Sequence, residues 1–200
     1  MTSATFTNPN HAVESDKVSH DRDAQMSRRR SLKFALLVIP LVGLMLLMSD
    51  PSSDSGLKAQ ADRKEAPAFT LRDQHGAALK LDRFRGKVLL LNFWATWCGP
   101  CGMEVPCFVE FKNKYQSKNF AVVGVAMDDE GWSAVRPFMA AKSINYSVAL
   151  GDDPLAESFG GIGAIPQTFL IDRNGRIAAE HVGLIRRDQY QKEIEELIRQ

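Results

Sequence analysis

The sequence predicts an α/β fold with a mixed central sheet and helices on both faces. It adds an N-terminal β-hairpin and places one transmembrane helix ahead of the domain. Three observations carry this reading. Val88–Trp94 and Phe120–Met127 are near-continuous apolar runs, typical of strands buried on both faces, and each is followed by a helical pattern. Thr168–Ile171 and Ile177–Val182 flank Asp172-Arg173-Asn174-Gly175, a strong hairpin signal. Near the start, Phe34–Met48 contains no charged residue.

Composition narrows the function. The net charge of +1 gives no field for nucleic acid or for a strongly acidic partner. Three cysteines are too few for a disulfide-stapled scaffold or a four-cysteine zinc site. Of the four histidines, His11 and His20 lie in a polar head far from any cysteine, so no metal centre is expected.

Taken in order, residues 1–30 are polar, lack hydrophobic periodicity and read as a disordered cytoplasmic head. Arg28-Arg29-Arg30 and Lys33 precede the apolar run, while Asp50 and Asp54 follow it. As a helix, Leu32–Met48 would span about 26 Å, just enough for the bilayer hydrocarbon. The positive-inside rule then exports everything after it. Residues 31–48 are therefore expected to be a transmembrane anchor or signal segment. Ala59-Gln60-Ala61 has the form of a signal-peptidase site, but it lies well past the run, so an uncleaved anchor is the favoured reading. Ser27-Arg28-Arg29 with Leu32-Lys33 also resembles a twin-arginine export signal, with Ser31 where such signals usually carry Phe. Residues 49–65, rich in Ser, Asp, Lys and Ala, read as a linker, and residues 66–200 as the folded domain.

Within the domain, Phe69, Leu71, Leu79 and Leu81 alternate with polar residues around Gln74-His75-Gly76, which predicts a hairpin. The strand over Val88–Trp94 leads into a helix carrying Val105, Phe108, Val109 and Phe111 to Tyr115 on its apolar face. After the strand from Phe120 come a helix over Trp132–Lys142, interrupted by Pro137, a short strand at Tyr146–Leu150 and a short helix at Pro154–Phe159. Past the second hairpin, Asp188 is expected to cap a last helix with Tyr190, Ile194, Leu197 and Ile198 on one side.

The chemistry concentrates at Trp94-Ala95-Thr96-Trp97-Cys98-Gly99-Pro100-Cys101. Cys98 and Cys101 end a buried strand and open a helix. Free N–H groups and partial positive charge at a helix N-terminus favour thiolate over thiol. Gly99 and Pro100 allow a compact turn, and Pro suits the first helical turn. Cys98 can then attack a target disulfide and Cys101 can resolve the mixed disulfide. A zinc knuckle, two unrelated buried thiols and a purely structural disulfide are the competing readings. The first lacks a second ligand pair, and the second does not need the strand–turn–helix context. Cys107, six residues further on, reads as a small buried apolar side chain.

With Ala66-Pro67-Ala68-Phe69-Thr70-Leu71 and Gly163-Ala164-Ile165-Pro166-Gln167-Thr168-Phe169-Leu170-Ile171-Asp172, these motifs make residues 66–200 resemble the thioredoxin-like superfamily. More narrowly, the chain looks like the membrane-anchored TlpA/ResA type of thiol–disulfide oxidoreductase. The resemblance implies a thioredoxin-like fold, a redox-active Cys98–Cys101 disulfide and no cofactor. It places a cis-proline at Pro166, with the Ile165 backbone offered to substrate beside Cys98 and Trp97 shaping the same surface. Gln167 departs from the Thr that often follows this proline. Asn92 stands where ordinary thioredoxins carry a buried aspartate that handles the Cys101 proton. Glu104 stands where the ResA-like branch has a glutamate, so it is the candidate for that role. Trp94 is expected behind the site, and Pro106 matches the fold's helix-kinking proline.

The resemblance further implies a protein disulfide reductase on the periplasmic side of a bacterial inner membrane. Gly99-Pro100 resembles the reducing thioredoxins, whose potential is about −270 mV. Electrons would come from a membrane thiol-transfer protein. Substrates would be disulfide-containing exported proteins, apocytochrome c in cytochrome c maturation among them. Two alternatives belong to other classes. A peroxiredoxin-like peroxide reductase would want Thr where Ala95 stands. A copper carrier for oxidase assembly would want three residues between the cysteines, with His181 as a conceivable third ligand.

Overall fold

The computed structural model describes residues 56–200. Eight strands and four α-helices follow one another in this span. They are β1 (Lys64–Glu65), β2 (Thr70–Arg72), β3 (Ala78–Lys80), β4 (Val88–Trp94), α1 (Gly99–Tyr115), β5 (Phe120–Ala126), α2 (Trp132–Ala141), β6 (Ser147–Leu150), α3 (Asp153–Ser158), β7 (Gln167–Ile171), β8 (Arg176–Val182) and α4 (Arg187–Arg199).

Six strands form one mixed sheet in the order β1-β8-β7-β4-β5-β6. The β4/β5 and β5/β6 pairs are parallel, and the remaining pairs are antiparallel. The most apolar strands sit centrally, as burial on both faces demands: every residue of β4, β5 and β7 is buried. Strand alternation sorts their side chains into two cores. Val88, Leu90 and Trp94 join Phe108, Phe111, Tyr190 and Ile194 beneath α1 and α4. Leu89, Leu91 and Phe93 join Phe69, Leu81, Leu155, Phe159 and Phe169 on the opposite face. Fully burying one such side chain contributes about 1.5–3 kcal/mol.

The predicted hairpin forms as β2 and β3, a separate two-stranded sheet. It reaches the main sheet through a bridge between Asp73 and Ala149, and Gln74 Oε1 accepts from the Val148 amide at 2.9 Å. Helix α2 continues through Pro137 instead of stopping there. Proline removes one N–H, but Val135 and Phe138 still anchor the helix in the core, and tertiary packing outweighs the local cost. The last helix begins at Arg187, one residue ahead of the expected cap. Asp188 therefore lies inside the first turn and accepts from Arg186 at 2.9 and 2.6 Å instead of capping.

Part of the segment read as a linker is built into the sheet. Lys64 and Glu65 pair with Ile177 and Arg176 as β1. Arg63 is buried, with Nη1 3.0 Å from Asp172 Oδ2 and 2.9 Å from Gln200 Oε1. A chain crossing a sheet flank satisfies its backbone there, and composition alone does not reveal this. Among the described residues no helix is long and apolar enough to cross a membrane. The run expected to do so, residues 31–48, lies outside the described residues, as does the 1–30 head.

Candidate active site

β4 delivers the chain to the site. Its end is fixed by the Met127 amide, which donates to Trp94 O at 2.8 Å, and the Cys98 amide turns back to Ala95 O at 3.2 Å. Cys98 is the N-cap of α1, with Pro100 in the first turn. Its sulfur accepts from the Cys101 amide at 3.2 Å and is joined to the Cys101 sulfur in a disulfide. Cys98 keeps 6 % exposure and Cys101 only 1 %, so Cys98 is the more accessible of the two. The N–H that meets Cys98 in this oxidised form would stabilise a thiolate there once the bond is broken.

The loop before β7 supplies the facing wall. Ile165–Pro166 is a cis peptide bond, and Cys98 Sγ lies 3.7 Å from Ile165 O. That contact becomes a hydrogen bond only when Cys98 carries a proton. Trp97 is 71 % exposed. Together with Met127, Ile162, Gly163, Ala164 and Ile165 it lines a groove of about 420 Å³. An uncharged groove beside the Ile165 backbone carbonyl suits an extended, partly apolar peptide.

Behind the cysteines lies a buried polar group. Glu104, one turn after Cys101, is 3 % exposed. Tyr190 donates its hydroxyl to Glu104 Oε1 at 2.8 Å, while Oε2 has no hydrogen-bond partner among the described residues. Loss of hydration pushes the carboxyl up to about 7, opposed by the Tyr190 hydroxyl, the nearby Ile185 backbone and the charge of His181. A carboxyl poised there can exchange a proton near neutral pH. Burial pushes the Cys107 thiol up to about 12, which makes it a poor nucleophile and matches its expected packing role.

The structure thus brings Trp97, Cys98, Cys101, Ile165 and Pro166 together, with Glu104 buried one helical turn after Cys101. Asn92 donates to Thr168 Oγ at 2.9 Å and cannot itself titrate. Trp94 is fully buried against Phe138, with centroids 4.9 Å apart. The Gln167 side chain turns to Glu180 at 2.8 Å, within the sheet. His181 Nε2 lies 2.7 Å from Glu193 Oε2. Helix α1 continues unbroken through Pro106.

Three contributors escaped the sequence reading: Asp128, which holds Thr96, the Met127–Ile162 side of the groove, and Tyr190. A signal existed for Asp128. It follows β5, the parallel neighbour of β4, and the carboxyl ends of parallel strands converge on one site. Tyr190 was read only as a core position.

A sheet in this order, with an oxidised Cys-x-x-Cys at the start of the longest helix among the described residues, makes the molecule a thioredoxin-like thiol–disulfide oxidoreductase. Comparison with known proteins agrees. The chain belongs to the Redoxin family, whose model matches residues 61–198. It is 33% identical over 120 residues to thiol-disulfide oxidoreductase ResA of Bacillus thuringiensis (strain Al Hakam), covering 60% of this chain and 69% of that protein. ResA of Bacillus subtilis (strain 168) is 32% identical over 123 residues, 62% of this chain and 68% of that one. Among solved structures, a thiol:disulfide interchange protein of the thioredoxin family from Chlorobium tepidum superposes with a TM-score of 0.64 at 30% identity. That match covers 70% of this chain and 99% of the other.

Proposed function

We propose that this oxidoreductase reduces disulfides of exported proteins from a membrane tether, with its catalytic domain on the extracytoplasmic side of a bacterial inner membrane. The observation that carries the reading is the Cys98 sulfur, least buried of the pair, set against the Ile165 carbonyl at the mouth of an apolar groove. The reaction starts from the dithiol form. Cys98 thiolate attacks one sulfur of a substrate disulfide. A Cys98–substrate disulfide forms, and the other substrate sulfur leaves as thiolate and takes a proton. Glu104 accepts the Cys101 proton, Cys101 attacks the Cys98 sulfur, and the second substrate thiolate departs. Two electrons have passed to the substrate, and the Cys98–Cys101 disulfide remains. Trp97, Ile165 and Pro166 hold the substrate segment during both attacks.

A membrane thiol-transfer protein returns the electrons, since nothing outside the cytoplasm keeps such a site reduced by default. Apocytochrome c, whose haem-attachment cysteines must be reduced, is a substrate of the right chemistry. The tether is the Leu32–Met48 run, oriented by Arg28-Arg29-Arg30.

A Cys101→Ser variant tests this directly. It should accumulate mixed disulfides through Cys98 with exported proteins, recovered from cells under non-reducing conditions and released by reductant. Recovery of none refutes the substrate-reducing role. Membrane fractionation with and without signal peptidase inhibition tests the tether, and a change in chain size rules out an uncleaved anchor.

A further inference from the structure

The reaction just described uses one buried side chain a helical turn after Cys101, yet that side chain is held by others. Tyr190, on α4, is 1 % exposed. Phe108 and His181 meet its ring edge-on, with centroids at 5.3 and 5.5 Å, so the ring has little freedom. Its hydroxyl donates to Glu104 Oε1 at 2.8 Å and leaves Oε2 without a partner among the described residues. Asn92 Nδ2 donates to Thr168 Oγ at 2.9 Å, so the Thr168 hydroxyl hydrogen is left for another acceptor. The Thr168 side chain favours the Tyr190 phenolate, as a donor to its oxygen would.

We propose that Tyr190 is a positioning residue for disulfide exchange: its hydroxyl fixes one carboxyl oxygen of Glu104, leaving the other oxygen to take the Cys101 proton. This rests on the reading that Glu104 is the acceptor of that proton. The transfer is balanced within the site. The proton leaves Cys101 Sγ for Glu104 Oε2, and the electron pair left on sulfur makes the bond to Cys98. Tyr190 keeps its own proton, because burial pushes the phenol far above its ordinary value. Several other titratable groups act on this carboxyl and its partner. His181 from β8, Tyr146 just before β6, and Cys107 from its own helix couple to Glu104, and Glu193 from α4 couples to Tyr190. His181 and Glu193 engage each other at 2.7 Å, and burial raises both Tyr146 and Cys107, so neither ionises in the working range.

Tyr190→Phe in the full chain removes the hydroxyl and keeps the ring between Phe108 and His181. Two measurements are made on it: the ¹³C titration of the Glu104 carboxyl, and the pH profile of mixed-disulfide resolution by Cys101. A hydrogen bond to a charged group corresponds to about one to two pH units. Both midpoints should therefore move up by about one unit, slowing resolution about fivefold at pH 7. Thr168→Val should move both in the same direction by less. In a Glu104→Gln background, Tyr190→Phe should change nothing further. If Glu104→Gln alters the profile while Tyr190→Phe leaves both midpoints in place, the positioning role is wrong and the acceptor role stands. Tyr190→Phe slowing resolution equally with and without Glu104 also overturns the proposal. If Glu104→Gln itself leaves the profile unchanged, the acceptor reading falls, and the positioning role falls with it.

Discussion

The backbone amide of Thr96 donates to both carboxylate oxygens of Asp128, at 3.1 Å each, and the Thr96 hydroxyl donates to the same group. The loop that carries Cys98 is thereby fastened to the end of the neighbouring strand. Asp128→Ala should lower the stability of the oxidised protein by about 1–2 kcal/mol, as expected for charge-assisted bonds at a half-exposed site. It should also slow Cys98 exchange by loosening the loop. Urea unfolding and a reductase assay measure the two effects, and Asp128→Asn should recover part of both.

The Glu104 carboxyl sets a pH dependence of stability. Burial raises it from the ordinary 4.5 to about 7. Between those values the folded protein holds a proton that the unfolded chain has released, so stability falls as pH rises. The contribution is fully present below about 4.5 and lost above about 7, a span of roughly 3 kcal/mol. Glu104→Gln should remove that slope from a plot of unfolding free energy against pH. A wild-type curve already flat across this interval would contradict the assignment.

Gly124 faces the Trp94 indole on the adjacent strand. A methyl group there would stand 2.7 Å from Trp94 Nε1 and 3.3 Å from Tyr146 Cε2. Both rings are buried, so neither can swing away. Gly124→Ala should cost about 1–3 kcal/mol by overpacking. It should also disturb the strand end leading to Cys98, visible as a lower Tm together with altered tryptophan fluorescence.

Arg63 and Asp172 form an ion pair whose side chains are 3 % and 9 % exposed. Removing one member strands the other charge, which typically costs 3–5 kcal/mol. Asp172 keeps amide donors from Asn174 and Arg176, so Arg63→Ala should cost about 3 kcal/mol. A chain shortened to begin at Ala66 should lose at least as much. Thermal unfolding of the two variants beside the chain beginning at Gly56 decides whether the domain starts where the ion pair does.

What was legible in the sequence was whatever is written locally. The apolar run of β4, the turn residues after Ile171 and the cysteine spacing each announce their structure within a few positions. The cis-proline loop was legible through its resemblance to known motifs. Relationships between distant residues were not. Tyr190 lies 86 positions from Glu104 and Arg63 lies 109 from Asp172. Periodicity reports which residues are buried and not which of them meet. The charged pair Lys64–Glu65 reads as linker because a two-residue strand carries no pattern, and only the adjacent β8 makes it one. Asp188 has a cap's chemistry, but Arg186 claims its carboxylate first.

The flanks of the sheet have a consequence for copies of this domain packed closely together. Long unpaired strands act as templates on which copies stack into aggregates. On one side the outermost strand is two residues long and fully charged. On the other, the Val148 amide is occupied by Gln74 and Ala149 is bridged to Asp73. Among the described residues neither flank of the main sheet is a long unpaired strand, which disfavours edge-to-edge stacking of copies.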